Sequence, residues 1–207
     1  MKVFNAFIVL LLVAATTRAQ SNKPKVNAEF GKALNAAGMT FMVPKGSIPA
    51  AIVKNQVASY QYAVKYPSRS LEIRYLVMPK AGVGVSVQPK PVTKNGQPAP
   101  TDDPFDTFCY NLAIKITGGT KDPKMQIGGF DPKAAKKEFN ADKGTYWMIP
   151  INNNNFGTPY KFCNMVALRK DNGAYAFIFY LSNSLQEIVK AFNEVGPYNI
   201  YYTLKYK

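Results

Sequence analysis

The sequence predicts an α+β protein in which a mostly antiparallel sheet is covered by helices. Two pairs of neighbouring strand-like segments support this prediction. Residues 56–66 and 71–78 both alternate in polarity and are separated by a short turn. Residues 161–170 and 174–181 flank an Asn-Gly pair, which is the strongest short signal for a hairpin. Helical patterns lie between and after these pairs, so helices should cover the faces of one sheet.

The first 19 residues have the pattern of a secretory signal peptide. Lys2 supplies a positive charge, residues 7–15 form an apolar run, and small residues precede a cleavage site between Ala19 and Gln20. The apolar run is too short to span a bilayer. We therefore expect an exported chain, secreted or periplasmic, whose mature part has no transmembrane segment.

The mature chain is predicted to be one α+β domain, residues 39–207, preceded by a flexible lead-in over residues 20–38. A short helix over residues 28–36 is an alternative within that lead-in. The first strand should cover residues 39–43 and stop at Pro44. The Pro-rich segment 79–104 is predicted to be a long loop, which is either a binding flap or a simple surface excursion.

Three helices have recognisable start signals. Asp103-Pro104 and Asp131-Pro132 each place a capping Asp before a Pro at the first helical position. The second of these helices should reach about Ala141, with Gly144 able to end it. Ser184 and Glu187 match a capping box before an apolar stripe that reaches Val195. Two further strands are predicted, at residues 146–149 and 199–207.

The order of these elements resembles the PsbP-like superfamily. The resemblance rests on a Phe-x-x-Pro strand (Phe41 to Pro44), an apolar late strand, an amphipathic helix, and a closing strand that contains residues 203–206. It implies an α/β/α sandwich. It also implies an accessory or binding role, since the superfamily contains accessory proteins, binding proteins and many uncharacterised exported proteins.

Charge and composition exclude several chemistries. The formal net charge is +14 and the sequence contains no histidine, which excludes Ser-His-Asp and Cys-His catalysis. After Ala19 the only arginines are Arg69, Arg74 and Arg169. A lysine-rich surface predicts diffuse attraction to an anionic glycan or lipid surface, or merely a solubilising charge, and not specific nucleic-acid recognition. The outward lysines 133, 136 and 137 are similarly typical of a solvated helix face.

Cys109 and Cys163 are predicted to form a disulfide, because paired cysteines outside the cytosol usually do. The alternative is two separate buried thiols. No metal site, cofactor motif or catalytic residue is predicted, since the sequence lacks the P-loop, the nucleophile elbow and clustered acids at calcium-loop spacing.

The candidate ligand-binding residues are Glu72, Arg74, Tyr146 and Trp147. Glu72 and Arg74 share a strand face and predict either an anion-binding arginine under the Pro-rich loop or an ion pair at the sheet margin. Tyr146 and Trp147, with Tyr160, could stack on sugar rings or belong to the core.

The sequence favours an exported, non-catalytic binding or accessory domain with an unknown ligand. One alternative is a secreted hydrolase that uses Glu72 and Asp142 as a carboxylate pair. Another is a structural subunit of an envelope assembly.

Overall fold

The computed structural model describes residues 26–80, 103–119, 122, 124–171, 173–194 and 199–207. The predicted signal peptide and residues 81–102 of the Pro-rich segment lie outside these residues. The described helices are α1 (Ala28–Ala36), α2 (Pro104–Thr117), α3 (Pro132–Phe139) and α4 (Leu185–Phe192). The described strands are β1 (Met39–Phe41), β2 (Ile48–Pro49), β3 (Tyr62–Tyr66), β4 (Leu71–Met78), β5 (Gln126–Gly129), β6 (Lys143–Pro150), β7 (Phe162–Arg169), β8 (Tyr175–Ser182) and β9 (Leu204–Tyr206).

Seven strands form one antiparallel sheet in the order β2-β3-β4-β8-β7-β6-β5. Both predicted hairpins are present, as β3–β4 and β7–β8. Strand β8 lies between β4 and β7, and all eight of its residues are buried. A nearly unbroken apolar strand suits this position because both of its faces are covered. Strands β1 and β9 form a separate antiparallel ribbon.

Helices cover both faces of the sheet, which confirms the predicted fold class. One core layer contains side chains from α1, α3, α4 and the β1–β9 ribbon, and the other contains those of α2. Alternation along each strand distributes side chains between the two layers. On β4, for example, Ile73 and Tyr75 face the first layer and Leu76 and Met78 face the second.

The segment that precedes β1 belongs to the core. The Asn27 side chain caps α1 by accepting a hydrogen bond from the Phe30 N–H. Phe30 is fully buried, and its ring centroid lies 5.2 Å from that of Tyr62. Residues 26–38 therefore do not form the predicted flexible lead-in; they contain the helix that the sequence allowed as an alternative. Residues 20–25 lie outside the described part of the chain.

The predicted N-terminal caps of α2 and α3 are observed, whereas the predicted glycine stop of α3 and the capping box of α4 are not. Asp103 and Asp131 accept hydrogen bonds from the first turns of α2 and α3, as predicted. However, α3 ends at Asn140, which adopts a left-handed conformation (φ 49°), and Gly144 lies inside β6. The capping box is also wrong, because the Ser184 side chain makes no capping bond and Glu187 pairs with Arg69 instead.

The predicted disulfide is not formed. Cys109 on α2 and Cys163 on β7 are buried free thiols in the same core layer. The Cys109 thiol hydrogen-bonds with Thr145, whereas Cys163 lies beside Ile149 on the neighbouring strand. Thr145 and Ile149 are four residues apart on β6, which is about 13 Å along a strand. A disulfide needs Cα atoms only about 4–7 Å apart, so this placement keeps the thiols separate.

The two outer strands of the large sheet, β2 and β5, were not predicted, and β3 is shorter than the predicted strand. Residues 56–61 approach β3 as irregular backbone. In the described part of the chain, no helix has the length and apolar character needed to cross a membrane.

Candidate functional site

Arg74 is a buried charge held entirely by protein groups. Its side chain is 1% exposed and donates from Nε to Glu72 Oε1 over 2.7 Å. The terminal nitrogens donate to the backbone carbonyls of Phe156 (2.5 Å) and Gly157 (3.0 Å). A guanidinium can make such bonds in several directions at once because its donors lie in a planar fork. Arg74 thus ties the loop after β6 to the sheet.

Two aromatic rings pack against the same guanidinium. The ring centroids of Tyr60 and Phe156 lie 4.7 Å and 4.8 Å from its central carbon. The arrangement is an ion pair, as the sequence allowed, but Arg74 lies inside the protein and has no open face for an anionic ligand. Tyr160 lies near this pair, and burial is the main reason that its pKa is raised, with Glu72 adding to the effect.

Tyr146 and Trp147 do not form a common stacking surface. Trp147 is 4% exposed and faces α2, where its ring lies 6.3 Å from that of Tyr110 between centroids. Its indole N–H donates to Thr145 Oγ1 on the same strand over 3.1 Å. Tyr146 points to the opposite face, is 39% exposed, and packs beside Phe130 with the ring centroids 5.7 Å apart. Trp147 therefore belongs to the core, as the alternative interpretation of these aromatic residues allowed, and does not share a face with Tyr146. The period-two alternation of a strand already contained this signal, since adjacent residues point to opposite faces.

Glu72 and Asp142 lie at opposite ends of the sheet. The strand register aligns Glu72 with Leu181, Cys163 and Ile149 across four strands. Asp142 precedes Ile149 by seven residues, which is roughly 20 Å along a strand. A glycosidase needs its two carboxyl groups within about 10 Å. The arrangement does not support the predicted carboxylate pair.

All three arginines that follow Ala19 take part in ion pairs within the fold. Arg69, in the turn between β3 and β4, contacts Glu187 at 2.6 Å and Glu194 at 2.8 Å, and so attaches α4 to the hairpin. Arg169 contacts Asp103 at 2.7 Å, which fixes the start of α2. Arg74 is bound to Glu72. The three arginines therefore form ion pairs within the protein, and lysines supply the exposed positive charge.

The strongest candidate for a binding surface lies on α3. Ala135 and Phe139 face the core, which leaves Lys133, Lys136 and Lys137 exposed on the outer side of the helix. These lysines line a shallow depression of about 510 Å³ together with Pro132, Ala141 and Asp142.

A fourth lysine reaches α3 from a neighbouring strand. Lys205 on β9 donates from Nζ to the Lys137 carbonyl over 3.2 Å. We call Lys133, Lys136, Lys137 and Lys205 the lysine surface. Among the described residues, no carboxylate lies within ion-pair distance of Lys133, Lys137 or Lys205.

Asp142 is an acidic group at the edge of the lysine surface. Its Oδ1 accepts a hydrogen bond from Lys136 Nζ over 2.9 Å, and its Oδ2 accepts one from the Asp171 backbone N–H over 3.0 Å. The Lys136 bond is the first cause that lowers the pKa of Asp142 to about 2. Asp142 therefore stays ionised at neutral pH and fixes the position of Lys136. In the described part of the chain, no three His, Cys, Asp or Glu side chains are grouped as metal ligands.

Comparison with known proteins gives no further guidance. Neither a scan against models of protein families nor a search of curated proteins found a match to this chain. The functional interpretation therefore depends on the residues and contacts described above.

Proposed function

We propose that the chain is an exported, non-catalytic binding domain whose lysine surface binds an anionic polysaccharide of the cell envelope. The observation that carries the proposal is the set of three outward lysines on α3 around a shallow depression, with Lys205 beside them. Export is supported by the signal peptide that the sequence predicts. A binding or accessory role is also what the resemblance to the PsbP-like superfamily implies.

The choice of a polyanion follows from the kind of cation that is exposed. A lysine ammonium is a compact, strongly hydrated charge on a long flexible stem, and it suits many weak contacts better than one oriented contact. The residues that would make oriented, bidentate contacts are the arginines, and all three after Ala19 bind carboxylates of the protein itself. A repeating anion fits a surface of this type because each of its charges needs little orientation.

The charged groups near the sheet ends support binding over catalysis. An effective general acid or base has a pKa near the working pH. The pKa of Asp142 is instead lowered by Lys136. Partial burial acts to raise the pKa of Asp103, but bonds from Lys143 and from the Phe105 N–H together outweigh it, so the pKa is lowered. Both carboxylates remain ionised at neutral pH, and each forms an ion pair with a lysine of the same protein.

The proposal is tested by measuring affinity for alginate, a polymer of uronic acids, at low ionic strength. One variant carries Lys133→Gln, Lys136→Gln and Lys137→Gln, which removes three charges from the lysine surface. A matched control carries Lys115→Gln, Lys124→Gln and Lys161→Gln, which removes the same charge elsewhere. We expect the first variant to bind about tenfold more weakly and the control to change less than about twofold.

Two results would overturn the proposal. One is equal weakening by both triple variants, since binding would then follow net charge alone. The other is the absence of any salt-sensitive binding by the wild-type chain at low ionic strength.

A further inference from the structure

A run of apolar side chains is exposed at one edge of the large sheet. Residues 48–53, which we call the edge strip, include β2 and the segment that follows it. Ile48, Ile52 and Val53 are 43%, 49% and 41% exposed. Three large apolar side chains are thus exposed within six consecutive residues, and such a group, unlike a single exposed side chain, indicates an interaction site.

The surroundings of the edge strip are basic. Lys65 stands directly opposite Ile48 in the β2–β3 register, so the two side chains share a face. Lys54 follows the strip, and Lys45 precedes it by three residues. The 42 residues from Phe30 to Leu71 contain no Asp or Glu. The strip therefore combines apolar side chains with positive charge. The acidic residue opposite Lys65 on β4 is Glu72, and its carboxylate is bound to Arg74.

The fold holds the edge strip in place. The Val53 N–H donates to the Tyr60 hydroxyl over 2.7 Å, and the Tyr60 ring packs on the buried Arg74. The side chain of Asn55 closes the next turn by accepting bonds from two backbone N–H groups and donating to two carbonyls. The exposed side chains thus stand on a fixed support.

The chemistry of the edge strip favours a lipid surface over another protein strand. Pro49 has no N–H to offer to an added strand, and nearby lysines oppose edge-to-edge pairing. Apolar side chains flanked by lysines are the combination that lies at the boundary between headgroups and acyl chains of an anionic bilayer. Lysines near such a surface are attracted by its negative potential.

We propose that the edge strip inserts into the headgroup region of an anionic bilayer, with Lys54 and Lys65 facing the lipid phosphates. The chain would then hold two kinds of envelope component at two separate surfaces. The inference rests on the proposed function in that both require an exported chain, but it uses residues outside the lysine surface.

Co-sedimentation with vesicles tests the proposal. The probe is a vesicle of phosphatidylglycerol and phosphatidylcholine, compared with one of phosphatidylcholine alone. The test variant carries Ile48→Thr and Ile52→Thr. A matched control carries Ile127→Thr and Val189→Thr, which replaces β-branched residues of similar exposure (51% and 49%) on β5 and α4. We expect the test variant to partition at least about tenfold more weakly onto anionic vesicles and the control to stay within about twofold.

A fluorescence measurement reports insertion directly. The sequence has one tryptophan, Trp147, which is buried, so an added indole in Ile52→Trp gives a separable signal. We expect its emission to shift to shorter wavelength with anionic vesicles and to stay unchanged with neutral ones. Equal partitioning of the two threonine variants, or an unshifted indole on anionic vesicles, would overturn the proposal.

The two proposals fail in different ways. If Lys133→Gln/Lys136→Gln/Lys137→Gln loses alginate binding while the edge-strip variant binds vesicles like wild type, the proposed function stands and the lipid inference falls. If alginate binding is absent while the edge-strip variant binds vesicles more weakly than wild type, the proposed function falls and the lipid inference stands.

Discussion

The guanidinium of Arg74 packs against the ring of Tyr60 at 4.7 Å, and this contact connects a buried ion pair with an exposed edge of the protein. Tyr60 in turn accepts a hydrogen bond from the Val53 backbone. Arg74 also holds the loop at Phe156 and Gly157. One charged side chain therefore contacts both irregular segments, whose residues Val57, Tyr60 and Phe156 are also buried in the core layer on that face.

Replacing Arg74 should be strongly destabilising. The substitution Arg74→Met keeps much of the apolar volume but leaves the Glu72 carboxylate without its partner and two carbonyls without donors. Removing one partner of a buried pair costs about 3–5 kcal/mol of unfolding free energy. Urea denaturation measures this, with the exposed Lys161→Met as control, expected to stay within about 0.5 kcal/mol. A loss below about 1 kcal/mol for Arg74→Met would contradict the structural role.

The two cysteines should behave as unreactive free thiols. Burial raises the pKa of both thiols, which disfavours the thiolate that reacts with thiol reagents. We expect no labelling of the native protein at neutral pH and two labelled thiols per chain after unfolding without reductant. Mass spectrometry of the alkylated chain counts them. An unfolded chain with no reactive thiol would show instead that Cys109 and Cys163 are bonded.

Gly144 and Gly129 should differ sharply in their tolerance of a side chain. A Cβ at Gly144 would lie 2.5 Å from the Phe130 ring and 3.3 Å from Leu168, whereas a Cβ at Gly129 meets nothing within 4 Å. Overpacking costs about 1–3 kcal/mol, so Gly144→Val should lower the unfolding free energy by that amount. Gly129→Val, in the outer strand β5, should be close to neutral. Equal effects of the two substitutions on urea denaturation would contradict the packing described.

The ion pair of Asp142 should make stability depend on pH below about 4. Its pKa falls from an ordinary value of 3.8 to about 2 in the fold, first because of Lys136. A lowered carboxyl pKa stabilises the fold above the ordinary value and loses that effect as the pH falls through 2. Since the pair is largely at the surface, we expect Asp142→Asn to be less stable than wild type by under about 1 kcal/mol at pH 5, with a much smaller difference near pH 2. If the difference in unfolding free energy between Asp142→Asn and wild type were the same at pH 5 and pH 2, the ionisation of Asp142 would not contribute to stability.

Sequence patterns predicted those parts of the fold that local signals determine. The alternation in residues 71–78 and the Asn-Gly pair before β8 predicted the two main hairpins, and Asp103 and Asp131 located two helix starts. Strands β2 and β5 were missed because Ile48-Pro49 is only two residues long and β5 contains two glycines, so neither gives a strand pattern.

The candidate site was harder to predict because distant partners decide it. Glu187 has the right spacing for a capping box, but Arg69 lies within 2.6 Å and offers a stronger, charged partner. The burial of Arg74 depends on carbonyls more than 80 positions away, which no local pattern reveals. The lysines on α3 were visible in the sequence, whereas their grouping with Lys205 required the contact between α3 and β9.

The measurement that tests the central claim most directly is a lysine footprint in the presence of alginate. Limited acetylation followed by mass spectrometry compares each lysine with and without the polymer. We expect protection to concentrate on the lysine surface, with Lys115, Lys124 and Lys161 acetylated at unchanged rates. Protection of both sets by the same factor would contradict the claim that α3 and β9 form the binding surface.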